Sequence, residues 1–232
     1  PELWYLLLEA RKAYLFSDGA FDITAKPLMD LWGFYRKRGD TLPSRQEIAE
    51  AQAKVGLDKA SFDDAARSVK FTVPGMSFDL GGIAKGYAVD RAAEEAGKAG
   101  IRRGVIDLGG NLRLLPKPPP GQEAYRVGIR NPQKRSELLD DVLELCDVSL
   151  STSGDYERFV TIGGRRYGHI MNPVTGLPTQ DGGSVTVIAP SALLADWLST
   201  AVFLGGEELA RRAESAFSGI AVIITRPEPE KP

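Results

Sequence analysis

Four stretches of this sequence hold side chains whose types and spacing could do chemistry. The first is Asp79-Leu-Gly-Gly-Ile-Ala-Lys-Gly86, which runs from an expected strand into an expected helix. Adjacent Gly81 and Gly82 let backbone approach a ligand closely. Free N–H groups at a helix start favour a phosphate, and Lys85 adds a positive charge. The same residues also suit a plain strand-to-helix turn with a surface lysine. The spacing matches neither the Walker A loop nor the dinucleotide fingerprint.

The second is His169, the single histidine of the chain, in Tyr167-Gly-His-Ile-Met-Asn-Pro-Val-Thr-Gly176. Beside a Pro/Gly-rich turn it could serve as a base near neutral pH, or as a structural hydrogen-bonding residue. Being alone, it excludes the multi-histidine zinc clusters of hydrolases. The third is Asp196 with Thr200, four apart and so on one face of a helix. Both are hard oxygen donors that suit Mg²⁺ completed by water and phosphate. The alternative is an aspartate compensating the helix dipole and a threonine bonded back to its own helix. The fourth is Ser151-Thr-Ser-Gly-Asp-Tyr156. Ser153 lacks the flanks of a nucleophile elbow, so a polar turn that shapes a pocket is the better reading.

The elements that must position these groups follow from periodicity and punctuation. Helices are expected over Leu3–Phe16, Arg45–Val55, Gly86–Ala99, Ser191–Leu204 and Glu207–Phe217. Ser44 with Glu47 forms a capping-box pattern, and Gly100 ends the third helix. Ser17-Asp18-Gly19 reads as a turn, and the aromatic-rich Leu28–Tyr35 as core. Strands are expected over Phe71–Asp79, Arg103–Leu108, Leu112–Leu115, Tyr125–Ile129, Leu145–Thr152, Glu157–Ile162, Arg166–Met171, Ser184–Ile188 and Gly219–Thr225. Pro116–Gly121 carries four prolines and reads as a loop. The mixed order implies an α+β fold, mixed sheets with packed helices. No composition shift divides residues 1–226, which read as a single domain, and 227–232 read as a disordered tail.

Composition narrows the function classes. Across 232 residues, 43% apolar and 26% charged content is an ordinary globular balance with material for a core. A net charge of -2 gives no bulk attraction for nucleic acid or anionic membrane, so an acidic substrate needs a local positive site or a metal. Cys146 is the single cysteine, which rules out an intrachain disulfide. No apolar run reaches the roughly 18–20 residues that span a bilayer. The abrupt start at Pro1-Glu2-Leu3-Trp4-Tyr5 reads like the inside of a helical stretch. An upstream segment is therefore expected, with any targeting signal on it.

Taken in order, these stretches resemble the ApbE family, the FAD:protein FMN transferases. The likeness covers nearly the whole chain. It runs through Asp18-Gly-Ala-Phe-Asp22, Pro27-Leu-Met-Asp-Leu-Trp-Gly-Phe34 and Asp79-Leu-Gly-Gly-Ile-Ala-Lys-Gly-Tyr-Ala-Val-Asp90. It continues with Asp107-Leu-Gly-Gly-Asn111, Thr152-Ser-Gly-Asp-Tyr156 and His169-Ile-Met-Asn-Pro-Val-Thr-Gly-Leu-Pro178, and closes with Ser184-Val-Thr-Val-Ile-Ala189 and Ala195-Asp-Trp-Leu-Ser-Thr-Ala201. Three positions depart from the family's usual residues: Asn172 for Asp, Gly168 for Ser and Lys26 for Gly.

The resemblance implies an ApbE-like, T-fold-related architecture that lacks its N-terminal part. It implies an enzyme that takes FAD with Mg²⁺ and joins FMN by a phosphoester bond to a Thr or Ser of a target protein, typically a redox-complex subunit, with release of AMP. By motif position Ala20, Phe21, Asp22, Asp79 and Lys85 contact FAD. The metal sits on Asp196, Thr200 and the backbone carbonyl of Gly82. His169 is the base and lies at the FAD site. Members are often periplasmic or membrane-anchored, and cytoplasmic ones also fit. The competing readings are a Mg²⁺-dependent FAD pyrophosphatase yielding FMN and AMP, and a flavin-binding protein without turnover.

Overall fold

The computed structural model describes residues 1–132, 137–155, 158–180 and 183–226. Tyr156, Glu157 and the tail 227–232, which figure in the sequence reading, lie outside the described residues. In chain order the elements are helices α1 (Glu2–Phe16), α2 (Lys26–Leu31) and α3 (Arg45–Gln52), strands β1 (Ala60–Asp63) and β2 (Ser68–Phe71), and helix α4 (Ala84–Lys98). Then come β3 (Val105–Leu108), β4 (Asn111–Leu114), β5 (Tyr125–Arg130), β6 (Leu138–Leu145), β7 (Ser149–Gly154), β8 (Phe159–Ile162), β9 (Arg165–Gly168) and β10 (Ser184–Ala189), followed by α5 (Ala192–Ala216) and β11 (Ala221–Thr225). The result is the α+β fold expected from the sequence. It divides into two compact units, Pro1–Gly82 with Asp155–Asp181, and Ile83–Gly154 with Gly182–Pro232.

In the first unit, α2 and α3 pack with the β8–β9 hairpin around Leu28, Met29, Trp32, Phe34, Ala51, Val55, Ile162, Tyr167 and Met171. The capping box is present: Ser44 Oγ accepts from Glu47 N at 3.2 Å, and the Glu47 carboxylate accepts from Ser44 N at 2.8 Å. It satisfies donors that a helix start leaves orphaned. The expected aromatic core is confirmed by Trp32, whose indole N–H donates to the Gly176 carbonyl at 2.9 Å. Gly176 has φ 69°, and a Cβ there would lie 2.7 Å from Ile48 Cγ2. The turn after His169 is thereby locked onto α3.

In the second unit, five antiparallel strands run in the order β11-β10-β7-β4-β3. Strand alternation sorts the two faces. Leu114, Leu150 and Ile188 pack with Tyr125, Val127, Leu143 and Leu145 of the β5–β6 hairpin. Asn111, Ser151 and Ser153 turn the other way, with Ser151 and Ser153 meeting Ser199 of α5. α4 and α5 cross closely because residue 86 is glycine. A Cβ there would stand 2.3 Å from the Ala192 carbonyl oxygen and 2.7 Å from Asp196 Cβ.

Several local expectations need correction. The strand expected over Phe71–Asp79 ends at Phe71, since Pro74 has no N–H for a ladder and Gly75 turns with φ 84°. β1 and most of β6 have no counterpart in the sequence reading. β1 is short and half polar, and β6 is rich in acidic residues that break apolar alternation. The run expected over Leu145–Thr152 is the end of β6 and the start of β7, parted at Asp147 (φ 55°). By contrast, the two helices expected at the C-terminus are both present: the stretch labelled α5 is two helices parted at Gly206, whose backbone is non-helical (φ 68°, ψ -159°).

The crossing at Gly86 makes a direct prediction. Gly86→Ala overpacks α4 against α5 backbone and lowers stability by about 1–3 kcal/mol. The urea midpoint measures this, and an unchanged midpoint contradicts the close crossing.

Candidate functional site

The sequence singled out residues on both units, and each unit gathers its own share. In the first, Asp22 caps its own turn: its Oδ1 accepts from Thr24 N at 2.8 Å and Thr24 Oγ1 at 2.7 Å. Burial pushes the Asp22 carboxyl up, opposed by these Thr24 donors. Phe21 is buried, with its N–H on Ser17 Oγ at 2.9 Å, and Ala20 precedes it at partial exposure. Asp79 is drawn beside this segment by its own N–H, which donates to the Ile23 carbonyl at 2.7 Å. The Asp79 carboxylate takes Gly81 N at 2.9 Å on one oxygen and the Tyr35 hydroxyl at 2.6 Å on the other. Burial, then the bond to Asp79, pushes the Tyr35 phenol up to about 12.

Tyr35 leads on to His169. Its ring is flanked by Lys26 Nζ at 5.0 Å and the Arg158 guanidinium carbon at 5.2 Å, a cation–π geometry. The Arg158 carbonyl accepts the His169 backbone N–H at 2.9 Å and lies 3.2 Å from His169 Nδ1. A carbonyl can only accept, so Nδ1 carries the proton. In the neutral ring Nε2 is then the acceptor nitrogen. The departures from the family pattern also find their reasons in this unit. Asn172 Oδ1 accepts from Val174 N and Thr175 N at 2.9 and 3.0 Å, as an aspartate oxygen would. A side chain at Gly168 would meet Asp155 Cβ at 2.4 Å. Lys26 pairs with Asp30 at 2.7 Å.

In the second unit Asp196, only 2% exposed, sits at the centre of a polar cluster. Its Oδ2 accepts from Gly86 N at 2.8 Å and its Oδ1 faces Lys85 Nζ at 3.3 Å. Burial pushes this carboxyl up, while the Lys85 charge and the Gly86 N–H oppose it. Asp196 does not cap its helix. That task falls to Ser191, whose Oγ accepts from Leu194 N at 3.2 Å, and to Asp90 of α4, which takes Ala192 N and Leu193 N at 2.7 and 2.9 Å. Thr200 Oγ1 lies 3.1 Å from Ser153 Oγ, and Ser153 Oγ lies 2.8 Å from Ser199 Oγ. Ser153 thus belongs to strand β7, not to a turn, and is bonded as a structural hydroxyl. Gly82 falls in the first unit, as its last residue before Ile83.

The donors at Asp196 suit a hard divalent cation. A buried carboxylate already faces one cation, the Lys85 ammonium. Thr200 adds a hydroxyl oxygen one turn on. Among the described residues no group of three or more His, Cys, Asp or Glu is placed to hold a metal ion. One carboxylate with neutral oxygens fits Mg²⁺ that shares its shell with water and phosphate, and does not fit zinc.

The model of the ApbE family matches residues 1–224. The chain belongs to the ApbE family. It is 34% identical over 210 residues to the FAD:protein FMN transferase of Haemophilus influenzae, covering 88% of this chain and 60% of that protein. It is also 34% identical over 218 residues to the FAD:protein FMN transferase of Salmonella typhimurium, covering 92% of this chain and 62% of the relative. The chain thus spans about 60% of the length of these curated relatives. Among solved structures, the ApbE protein of Thermotoga maritima superposes with a TM-score of 0.86 at 36% identity, covering 98% of this chain and 76% of that one. The flavin transferase ApbE of Vibrio cholerae gives a TM-score of 0.81 at 31% identity, covering 95% of this chain and 69% of its own.

Sequence reasoning passed over several residues that the ApbE fold brings to these clusters. Asn111 and Asp90 each close one of the family motifs, where residue type alone gives no sign of a role. Tyr35 follows directly on Phe34, the end of another. Arg158 had no local signal at all. The His169 geometry is testable because the chain has one histidine. Long-range ¹H–¹⁵N spectra of ¹⁵N-histidine-labelled protein should show the Nδ1–H tautomer in the neutral form. An Nε2–H tautomer contradicts the bond to Arg158.

Proposed function

We propose that this chain is an FAD:protein FMN transferase that attaches FMN through a phosphoester bond to a Thr or Ser of an acceptor protein and releases AMP. Residues 1–226 act as one transferase domain in this reading. What carries it is the cluster of Asp196, Lys85 and Thr200, a buried anion with a paired cation and hard oxygens, in a chain of the ApbE family. The acceptor is a subunit of a flavin-carrying redox complex.

The roles are those that the family resemblance implies by motif position, and each group's chemistry is compatible with them. Ala20, Phe21, Asp22 and Asp79 contact FAD, with Asp22 and Asp79 already fixed by their own donors. Lys85 offsets the charge of the FAD diphosphate, which otherwise repels a nucleophile. Mg²⁺ would be held by Asp196, Thr200 and the Gly82 carbonyl, and it would supply charge neutralisation at the diphosphate. His169, with its proton on Nδ1, accepts the acceptor's hydroxyl proton at Nε2. The hydroxyl oxygen forms a bond to the FMN-side phosphorus, and the bond from that phosphorus to the bridging oxygen breaks. Its electron pair leaves with AMP. Positioning and charge dominate transfer of this kind.

The test is to incubate the chain with FAD, MgCl₂ and an acceptor domain carrying a Thr or Ser flavinylation site, then read the acceptor's intact mass. FMN should appear on the acceptor, and His169→Ala should slow its appearance by about 10²–10⁴-fold. Free FMN and AMP with an unmodified acceptor would mean a pyrophosphatase. Intact FAD would leave only a flavin-binding protein.

A further inference from the structure

The Asp196 cluster holds one more side chain, which the proposed chemistry does not use. Asn111 begins β4 directly after the Gly109-Gly110 turn and is 1% exposed. Its amide must be oriented with nitrogen toward the acceptors around it. The nitrogen then donates to Asp196 Oδ1 at 3.2 Å and to Ser151 Oγ at 2.8 Å, and the oxygen accepts from Lys85 Nζ at 2.5 Å. Lys85 therefore has two anchors, and the neutral one is nearer: 2.5 Å to Asn111 against 3.3 Å to Asp196. The lysine side chain is 44% exposed while that of Asp196 is 3% exposed. The cation has solvent beside it, and the anion has almost none.

A divalent cation on Asp196 Oδ1 and the Lys85 ammonium are like charges that want the same oxygen. Their mutual repulsion is large where water is scarce. We propose that Lys85 is a built-in competitor for the carboxylate that takes Mg²⁺, and that Asn111 is the positioning residue that holds Lys85 aside when the metal arrives. This rests on the magnesium reading of the site. Its consequence is an order of assembly. Without a diphosphate the two cations oppose each other and Mg²⁺ binds weakly. A bound diphosphate neutralises both, so FAD and Mg²⁺ strengthen each other's binding by the same factor. The Asn111 carbonyl keeps Lys85 within reach of the diphosphate instead of letting it swing into solvent.

The experiment is calorimetric titration of the full chain with MgCl₂, without and with FAD, for wild type, Lys85→Met, Asn111→Leu and the double variant. Lys85→Met should tighten Mg²⁺ binding without FAD by about tenfold and reduce the strengthening that FAD produces. Asn111→Leu should weaken Mg²⁺ binding clearly more in the wild-type background than once Lys85 is gone, because it acts mainly through Lys85. A merely structural asparagine would weaken binding equally in both backgrounds, and that result overturns its assigned role. Unchanged or weaker binding in Lys85→Met, which does not depend on any Asn111 variant folding, overturns the competition. If the wild type takes up no Mg²⁺ with or without FAD, the magnesium reading itself fails, and the competition with it.

Discussion

The carboxylate of Asp196 is an anion taken out of water, and the second unit is arranged around that fact. Burying such a group costs several kcal/mol, in order of magnitude, unless donors replace the lost solvent. Here the donors come from two separate elements: the Gly86 N–H and the Lys85 ammonium of α4, and the Asn111 amide of β4. Each donor constrains its surroundings. The Gly86 N–H reaches Asp196 only because residue 86 has no Cβ to strike the α5 backbone. Asn111 faces α5 because β4 alternates, with Leu112 turned toward the hairpin and Asn111 away from it. Asp90, one turn beyond Gly86 on α4, holds the first turn of α5 and so fixes where Asp196 can be. Ser151 and Ser153 of β7 add hydroxyl contacts to Ser199 of α5 beside it.

The first unit solves a related problem by different means. Asp79, Tyr35, Arg158 and His169 form a chain of contacts, two hydrogen bonds joined by a cation–π contact. The useful outcome is a histidine whose tautomer is set by a backbone carbonyl. A carbonyl acceptor at Nδ1 leaves Nε2 as the acceptor nitrogen of the neutral ring, which is what the proposed role as base calls for. The turn that carries His169 is rigid for reasons of packing, because Gly176 leaves no room between itself and Ile48. Asn172 closes the same turn through its side-chain oxygen. This explains why a neutral amide can stand where the family commonly has a carboxylate: two backbone N–H groups are all that the position serves in the described contacts.

Much of this could be read from the residues, for physical reasons. The capping box at Ser44 and Glu47 and the helix ending at Gly100 are local, so they show in local spacing. The pair Asp196 and Thr200 declared itself because polar residues four apart on an apolar helix need an explanation. What was not legible is long-range. Asn111 meets Lys85 and Asp196 only after β4 has joined β7 and α4 has crossed α5. Arg158 matters through a backbone carbonyl, which no side-chain pattern reports. The strand β1 pairs only with β2 and has little apolar alternation to announce it, while Pro74 and Gly75 end a run that otherwise looks like a strand.

The most direct test of the central claim is a crystal structure of the chain with Mn²⁺ in place of Mg²⁺ and FAD bound, with the metal located by its anomalous signal. The account predicts metal bonded to an oxygen of Asp196, with Lys85 moved off that oxygen and retained by Asn111. Metal bound elsewhere, with the Lys85–Asp196 pair undisturbed, would contradict it.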